Sequence, residues 1–233
     1  MKLIDMHCDT LMKLLEQPEK SLAELDAEVN LPGLKQAGSM AQFFACFTNL
    51  MDYPQPPERA YDEAYQTVLR MIERMKEEIQ KAPQELALAT GAQEILDNDA
   101  AGKISAFLTV EEGGILNGRM ERLHDLYDQG IRLITLTWNY ENCLGYPNSA
   151  DPQVMGKGLK SFGVEVVEEM NRLGMLVDVS HLSDGGFWDV VRHSKKPFVA
   201  SHSCVRDLCG HTRNLNKEML KAVGEKGGAV GGN

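Results

Sequence analysis

Five side chains able to hold a metal ion stand where short apolar runs end. His7 and Asp9 follow residues 2–6, Glu111 follows 104–110, His181 follows 175–179 and His202 follows 197–200. Three imidazoles and two carboxylates suit zinc or a similar divalent ion, and a carboxylate can bridge two ions. Taken singly, a histidine near a strand end is more often a satisfied polar residue, and a lone acid there is often a helix cap or a solvated loop residue. Four strand ends that each supply a ligand favour one shared site, because the strands of a parallel α/β barrel open on a common face where such proteins do chemistry. His7 and Asp9 are two residues apart, so on an extended segment they share a face and Cys8 points to the other. Glu111 and Glu112 compete for the central position, and Glu111 is preferred because it directly follows its strand.

The elements that must position these residues are legible as alternating strand-like and helical patterns, which favour βα units and a parallel sheet. Residues 10–17 read as a helix and 41–47 as a second strand. From Pro56 onward, Tyr61, Ala64, Tyr65, Val68, Leu69, Ile72 and Met75 recur at steps of three and four, the stripe of a long outer helix. Patterns over 120–129, 162–173 and 217–226 are each followed by a candidate C′ glycine, Gly130, Gly174 and Gly227. Gly113 and Gly114 allow a sharp backbone turn beneath the site. Candidate strands end near residues 7, 47, 110, 137, 180, 201 and 231. The expected fold is therefore a TIM-type (β/α)8 barrel that is incomplete, with about seven strands, the eighth βα unit missing and open edges at both ends of the sheet. Residues 1–233 are expected to form a single barrel domain, truncated at the C-terminus.

Composition narrows the partners. With 233 residues and 43% hydrophobic content the chain can bury a sizeable core, and single barrels run to about 250 residues. A net charge of −10 and the lack of a Lys/Arg cluster argue against nucleic acid. No apolar stretch approaches the roughly 20 residues needed to span a bilayer. The first strand begins almost at Met1, without room for an export signal, so no membrane association and a cytoplasmic location are expected. Cys8, Cys46, Cys143, Cys204 and Cys209 are an odd number without CxxC spacing and read as reduced thiols.

Residues 5–9 (DMHCD), 110–114 (VEEGG), 133–137 (LITLT), 178–181 (DVSH), 201–203 (SHS) and 213–214 (RN) resemble, in order, the motifs of the membrane (renal) dipeptidase family, binuclear zinc enzymes of the metal-dependent hydrolase superfamily. The similarity covers essentially the whole chain and suggests a bacterial-type cytosolic member. The resemblance implies a hydrolase that cleaves dipeptides through a hydroxide bridging two Zn2+ ions. It implies that His7 and Asp9 hold one zinc, that Glu111 bridges as the central catalytic carboxylate, and that His181 and His202 hold the second. Arg213 matches the residue that grips the substrate's C-terminal carboxylate, a planar pairing that lysine does not reproduce.

Two departures accompany the match. Trp138 stands where better-known members carry a substrate-binding histidine; Tyr140 or Asn142 could take over that contact, or Trp138 could simply wall the pocket. The family's proton-transfer acid lies after an eighth strand and has no counterpart here. The implied partner is a dipeptide, with a homodimer as the candidate assembly. One alternative is another barrel amidohydrolase acting on cyclic amides or N-acyl amino acids; many of those open with HxH and use a lysine bridge, whereas this chain has HxD and a glutamate. Another is a catalytically silent metal-binding fragment. His124 and His193 fall in helical patterns and read as surface or core residues, and His211, in a polar loop, stays open.

Overall fold

Ile104–Glu111 forms a strand whose eight side chains are all buried, as an apolar run flanked on both edges and both faces must be. The computed structural model describes residues 2–53 and 57–232. Its strands are β1 (Leu3–Asp5), β2 (Ser39–Phe47), β3 (Leu86–Leu88), β4 (Ile104–Glu111), β5 (Leu133–Thr135), β6 (Leu176–Asp178), β7 (Val199–Ala200) and β8 (Ala229–Val230). The helices are α1 (Thr10–Glu16), α2 (Leu31–Ala37), α3 (Pro57–Lys81), α4 (Ala92–Ala100), α5 (Met120–Asp128), α6 (Pro152–Met155), α7 (Ser161–Leu173), α8 (Asp184–His193) and α9 (Lys217–Glu225).

All strand pairs are parallel, in the order β1-β2-β4-β5-β6-β7-β8. These seven curl into an incomplete barrel with helices outside, and they are the seven that the apolar runs mark. β3 lies off that path, pairing with Ile104–Ala106 at the start of β4, while β5 takes the same edge further along at Thr109–Glu111. β3, in which only Leu86 is fully buried, has no counterpart among the runs marked in the sequence. Glu111 is the last residue of β4 rather than the residue after it.

The two faces of the sheet follow strand alternation. Ala106, Leu108 and Val110 of β4, with Phe44 and Cys46 of β2, pack in the large cluster beneath the helices. Phe43, Phe107, Leu133 and Val199 form a second cluster inside the curl, where Phe43 and Phe107 stack with ring centroids 4.3 Å apart. Beyond this apolar floor, toward the strand C-termini, the inward positions turn polar: Glu111, Thr135, Asp178 and Ser201 are all buried. Register explains the convergence, since Glu111 pairs with Thr135, Thr135 with Asp178, and Asp178 with Val199.

α3 packs against α1, β2 and β3, and Ala60, Ala64, Tyr65, Val68, Met71, Ile72 and Met75 along it are all buried. Leu69, assigned to the stripe from sequence, is half-buried beside it, and Pro56 lies outside the described residues.

Candidate metal centre

Each candidate ligand is carried by the C-terminal end of a strand or the first turn after it. Asp9 occupies the N-cap position of α1 but its side chain makes no capping hydrogen bond, so the helix-cap explanation for this acid does not hold. Its Oδ1 lies 3.4 Å from Nε2 of His7. Glu111 Oε2 lies 3.4 Å from the same His7 nitrogen, whereas Oε1 lies 3.2 Å from His181 Nε2 and 3.5 Å from His202 Nε2. One carboxylate oxygen thus faces His7 and the other faces His181 and His202. The Nε2 atoms of His181 and His202 are 3.1 Å apart. Ligands held at about 2.0–2.1 Å around a tetrahedral zinc are separated by about 3.3 Å, so these nitrogen and oxygen separations fit a divalent ion of that kind.

His7, Glu111 and His202 lie mutually within 4.8 Å, with His7 and His202 stacked at a ring separation of 3.8 Å. Asp9 approaches this core at His7, and His181 approaches it at Glu111 and His202. His181 sits in the left-handed region at φ 66°, unusual for a side chain with a Cβ, and this backbone turn accompanies the placement of its ring against Glu111. Burial alone raises the Glu111 pKa, but hydrogen bonds from His181, His202 and His7 outweigh it and hold the carboxyl well below the usual range. Burial lowers the His7 pKa, yet its hydrogen bonds to Asp9 and Glu111 prevail and lift it to about 10. His7 is thus cationic beside an ionised carboxylate, at a place where a bound cation takes over from a proton, whereas burial lowers the His181 pKa and favours its neutral ring.

A cavity of about 600 Å³ opens onto these residues and is also lined by Phe47, Trp138, Ser201 and Arg213. The Trp138 ring lies 4.9 Å from Phe47, 5.7 Å from Tyr140 and 6.3 Å from His181, forming an aromatic wall. Tyr140 and Asn142 are not among the residues that line the cavity. The Tyr140 hydroxyl accepts from Leu50 N–H at 2.8 Å and lies 3.3 Å from the Thr48 carbonyl. Asn142 is buried, donating to Glu112 at 2.6 Å and to the Leu136 carbonyl at 2.9 Å. Both hold the loop after β5 instead of reaching toward a substrate. Arg213 does face the cavity, with Nη1 donating to Ser203 at 2.5 Å and Nη2 to the His202 carbonyl at 2.7 Å.

Glu112 turns away from the cluster. It is fully buried at φ 78° and accepts from Gly114 N–H, Asn142 and Trp138 N–H. His124 and His193 lie outside the site beside Glu169 and Glu168, and His211 is an exposed loop residue that accepts from Arg213 N–H. Cys8 is buried against the core, and no disulfide joins any of the five cysteines among the described residues. Asp178, Ser201 and Asn139 adjoin the site although none is among the candidate site residues; the first two are signalled in the sequence by their inward position in the strand alternation.

A family-wide sequence profile, described as membrane dipeptidase, peptidase family M19, matches residues 1–233. This chain belongs to that family. The uncharacterized dipeptidase C965.12 of Schizosaccharomyces pombe is 29% identical over 246 residues, covering 98% of this chain and 58% of that relative. A metallopeptidase from Rhodobacter sphaeroides, solved with a phosphinate mimic of the dipeptide L-Ala-D-Ala, superposes with a TM-score of 0.87 at 26% identity, covering 100% of this chain and 74% of that one. The M19 metallopeptidase named dipeptidase AC gives a TM-score of 0.87 at 27% identity, with 100% and 72% covered. The chain spans about half the length of the curated relatives it matches. Despite the family's name, no helix among the described residues is long and apolar enough to cross a membrane.

Proposed function

We propose that this chain carries the metal centre of a dipeptidase that hydrolyses the peptide bond of free dipeptides with two divalent ions, zinc in the first instance. The observation that carries the reading is the division of Glu111, one oxygen 3.4 Å from His7 and the other 3.2 Å from His181. His7 and Asp9 would hold one ion, His181 and His202 the other, and Glu111 both. Two divalent ions bound there supply a water acidic enough to attack near neutral pH and a Lewis acid for the scissile carbonyl.

The remaining side chains orient the substrate. Two of the Arg213 N–H groups are already engaged by Ser203 and the His202 carbonyl, which locks the guanidinium at the cavity edge. The rest of its donors remain for a carboxylate, the group that distinguishes a free dipeptide from an internal peptide bond. Trp138, packed on Phe47, limits the volume available to a substrate side chain. The dipeptide mimic bound by the Rhodobacter relative supports the same substrate class.

The test is hydrolysis of free dipeptides by the full-length protein, with and without a chelator, alongside Glu111→Gln. Chelator-sensitive turnover that Glu111→Gln abolishes is expected. Turnover of cyclic amides or N-acyl amino acids without dipeptide hydrolysis would replace the reading with the other barrel amidohydrolases.

A further inference from the structure

The ring nitrogens that face away from the cavity are held as deliberately as those that face it. His202 presents Nε2 to Glu111, and its Nδ1 lies 2.7 Å from the Ser201 hydroxyl. Ser201 Oγ is in turn 2.6 Å from Oδ2 of Asp178, which is fully buried. That carboxylate is surrounded by donors: the Thr135 hydroxyl at 2.6 Å, Ser180 N–H at 3.0 Å and Ser201 N–H at 2.9 Å.

An ionised carboxylate only accepts hydrogen bonds, and a serine hydroxyl has a single hydrogen. With that hydrogen directed at Asp178, Ser201 has only lone pairs to offer His202, so Nδ1 must carry the hydrogen between them. Nε2 is then the nitrogen available as a ligand. The backbone is fixed by the same group of residues, because His202 N–H donates to Ser180 Oγ at 3.2 Å. His181 has a simpler counterpart, with Nδ1 3.1 Å from Asn139 Oδ1.

We propose that Asp178, acting through Ser201, is a positioning residue for His202: the carboxylate–hydroxyl–imidazole chain places a hydrogen on Nδ1 and so commits Nε2 to the ion shared with Glu111 and His181. The effect on metal binding rests on the two-metal reading, whereas the position of the hydrogen does not. Partners of this kind that orient a ligating histidine typically change metal affinity by roughly 10- to 100-fold.

Two measurements on the full-length protein test it. In competition with a chromophoric chelator, Ser201→Ala is expected to weaken one of two zinc ions by roughly 10- to 100-fold and leave the other at parental affinity, while Ser201→Thr, which keeps the hydroxyl, restores binding. Parental affinity for both ions in Ser201→Ala would overturn the proposal. Ser201→Ala leaves Asp178 its other three donors, so it carries the test even where Asp178→Asn disturbs folding. Long-range 15N–1H correlation on the metal-free protein reads the ring directly: a hydrogen on Nδ1 of His202 is expected, and a bare Nδ1 overturns the proposal. A parent protein that takes up no zinc but shows that hydrogen would support the relay and count against the two-metal reading.

Discussion

Glu111 and Glu112 are neighbours in sequence and opposites in environment. Strand alternation puts Glu111 on the inward face with Phe107, and three imidazoles hold its carboxyl ionised. Glu112 leaves the strand in a left-handed turn and is pushed up to about 7 by burial, against the pull of its Asn142, Trp138 and Gly114 donors. A Cβ on Gly114 would lie 2.1 Å from Glu112 Oε1, so this turn requires glycine there. Because the folded pKa of Glu112 lies above the ordinary 4.5, the folded state holds its proton more tightly, and the Glu112 contribution to stability falls as pH rises from about 4.5 through about 7. Denaturant midpoints of parent and Glu112→Gln across that range should therefore diverge in slope, with the parent losing more; parallel slopes would contradict the assignment. The preference for Glu111 was legible from alternation, but the reversal at Glu112 was not, because a left-handed turn leaves no periodic trace. At Arg213, Arg213→Lys is expected to raise KM for free dipeptides with zinc content unchanged, since lysine keeps the charge and loses the fork. A matching loss of zinc would show that the Ser203 and His202 contacts are its main role.

Elements with broad apolar faces announced themselves, and those without did not. α3 shows a stripe from Tyr61 to Met75 that repeats over about four turns, whereas α4 buries only Ile95 among its nine residues, leaving no periodicity to read. The ligand-bearing strand ends were legible because each closes a run of apolar residues. α3 also carries a polar tie to the segment after α1. Glu78 is buried, pairs with Arg74 at 3.0 Å and accepts from Leu22 N–H at 2.5 Å, while Arg74 reaches the Lys20 carbonyl. Glu78→Ala leaves the buried guanidinium without this partner and strands a main-chain donor, a loss expected to cost about 3 kcal/mol or more. A urea midpoint shift worth less than about 1 kcal/mol, the range of an exposed pair, would contradict that role.

Over the whole molecule, the candidate ligands are contributed by β1, β4, β6 and β7 or the turns that follow them, and only the curl of the sheet unites them. Ions bound there should stabilise the entire fold by mass action, so zinc is expected to raise Tm and a chelator to reverse the gain. β1 and β8 pair on one side only among the described residues, with Leu3, Ile4 and Val230 exposed, as the run of seven apolar segments anticipated. Order and count of the barrel strands were thus readable, as was Trp138 as a wall of the pocket, while the packing of Phe47 and Tyr140 against it was not, because it depends on how the loop after β5 folds back. The measurement that tests the central claim most directly is zinc bound per purified chain after loading and removal of excess metal, compared among parent, His7→Ala and Glu111→Gln. A Glu111 that serves both ions predicts near two for the parent, about one for His7→Ala and near zero for Glu111→Gln; equal stoichiometry in the two variants, or no zinc in the parent, would contradict it.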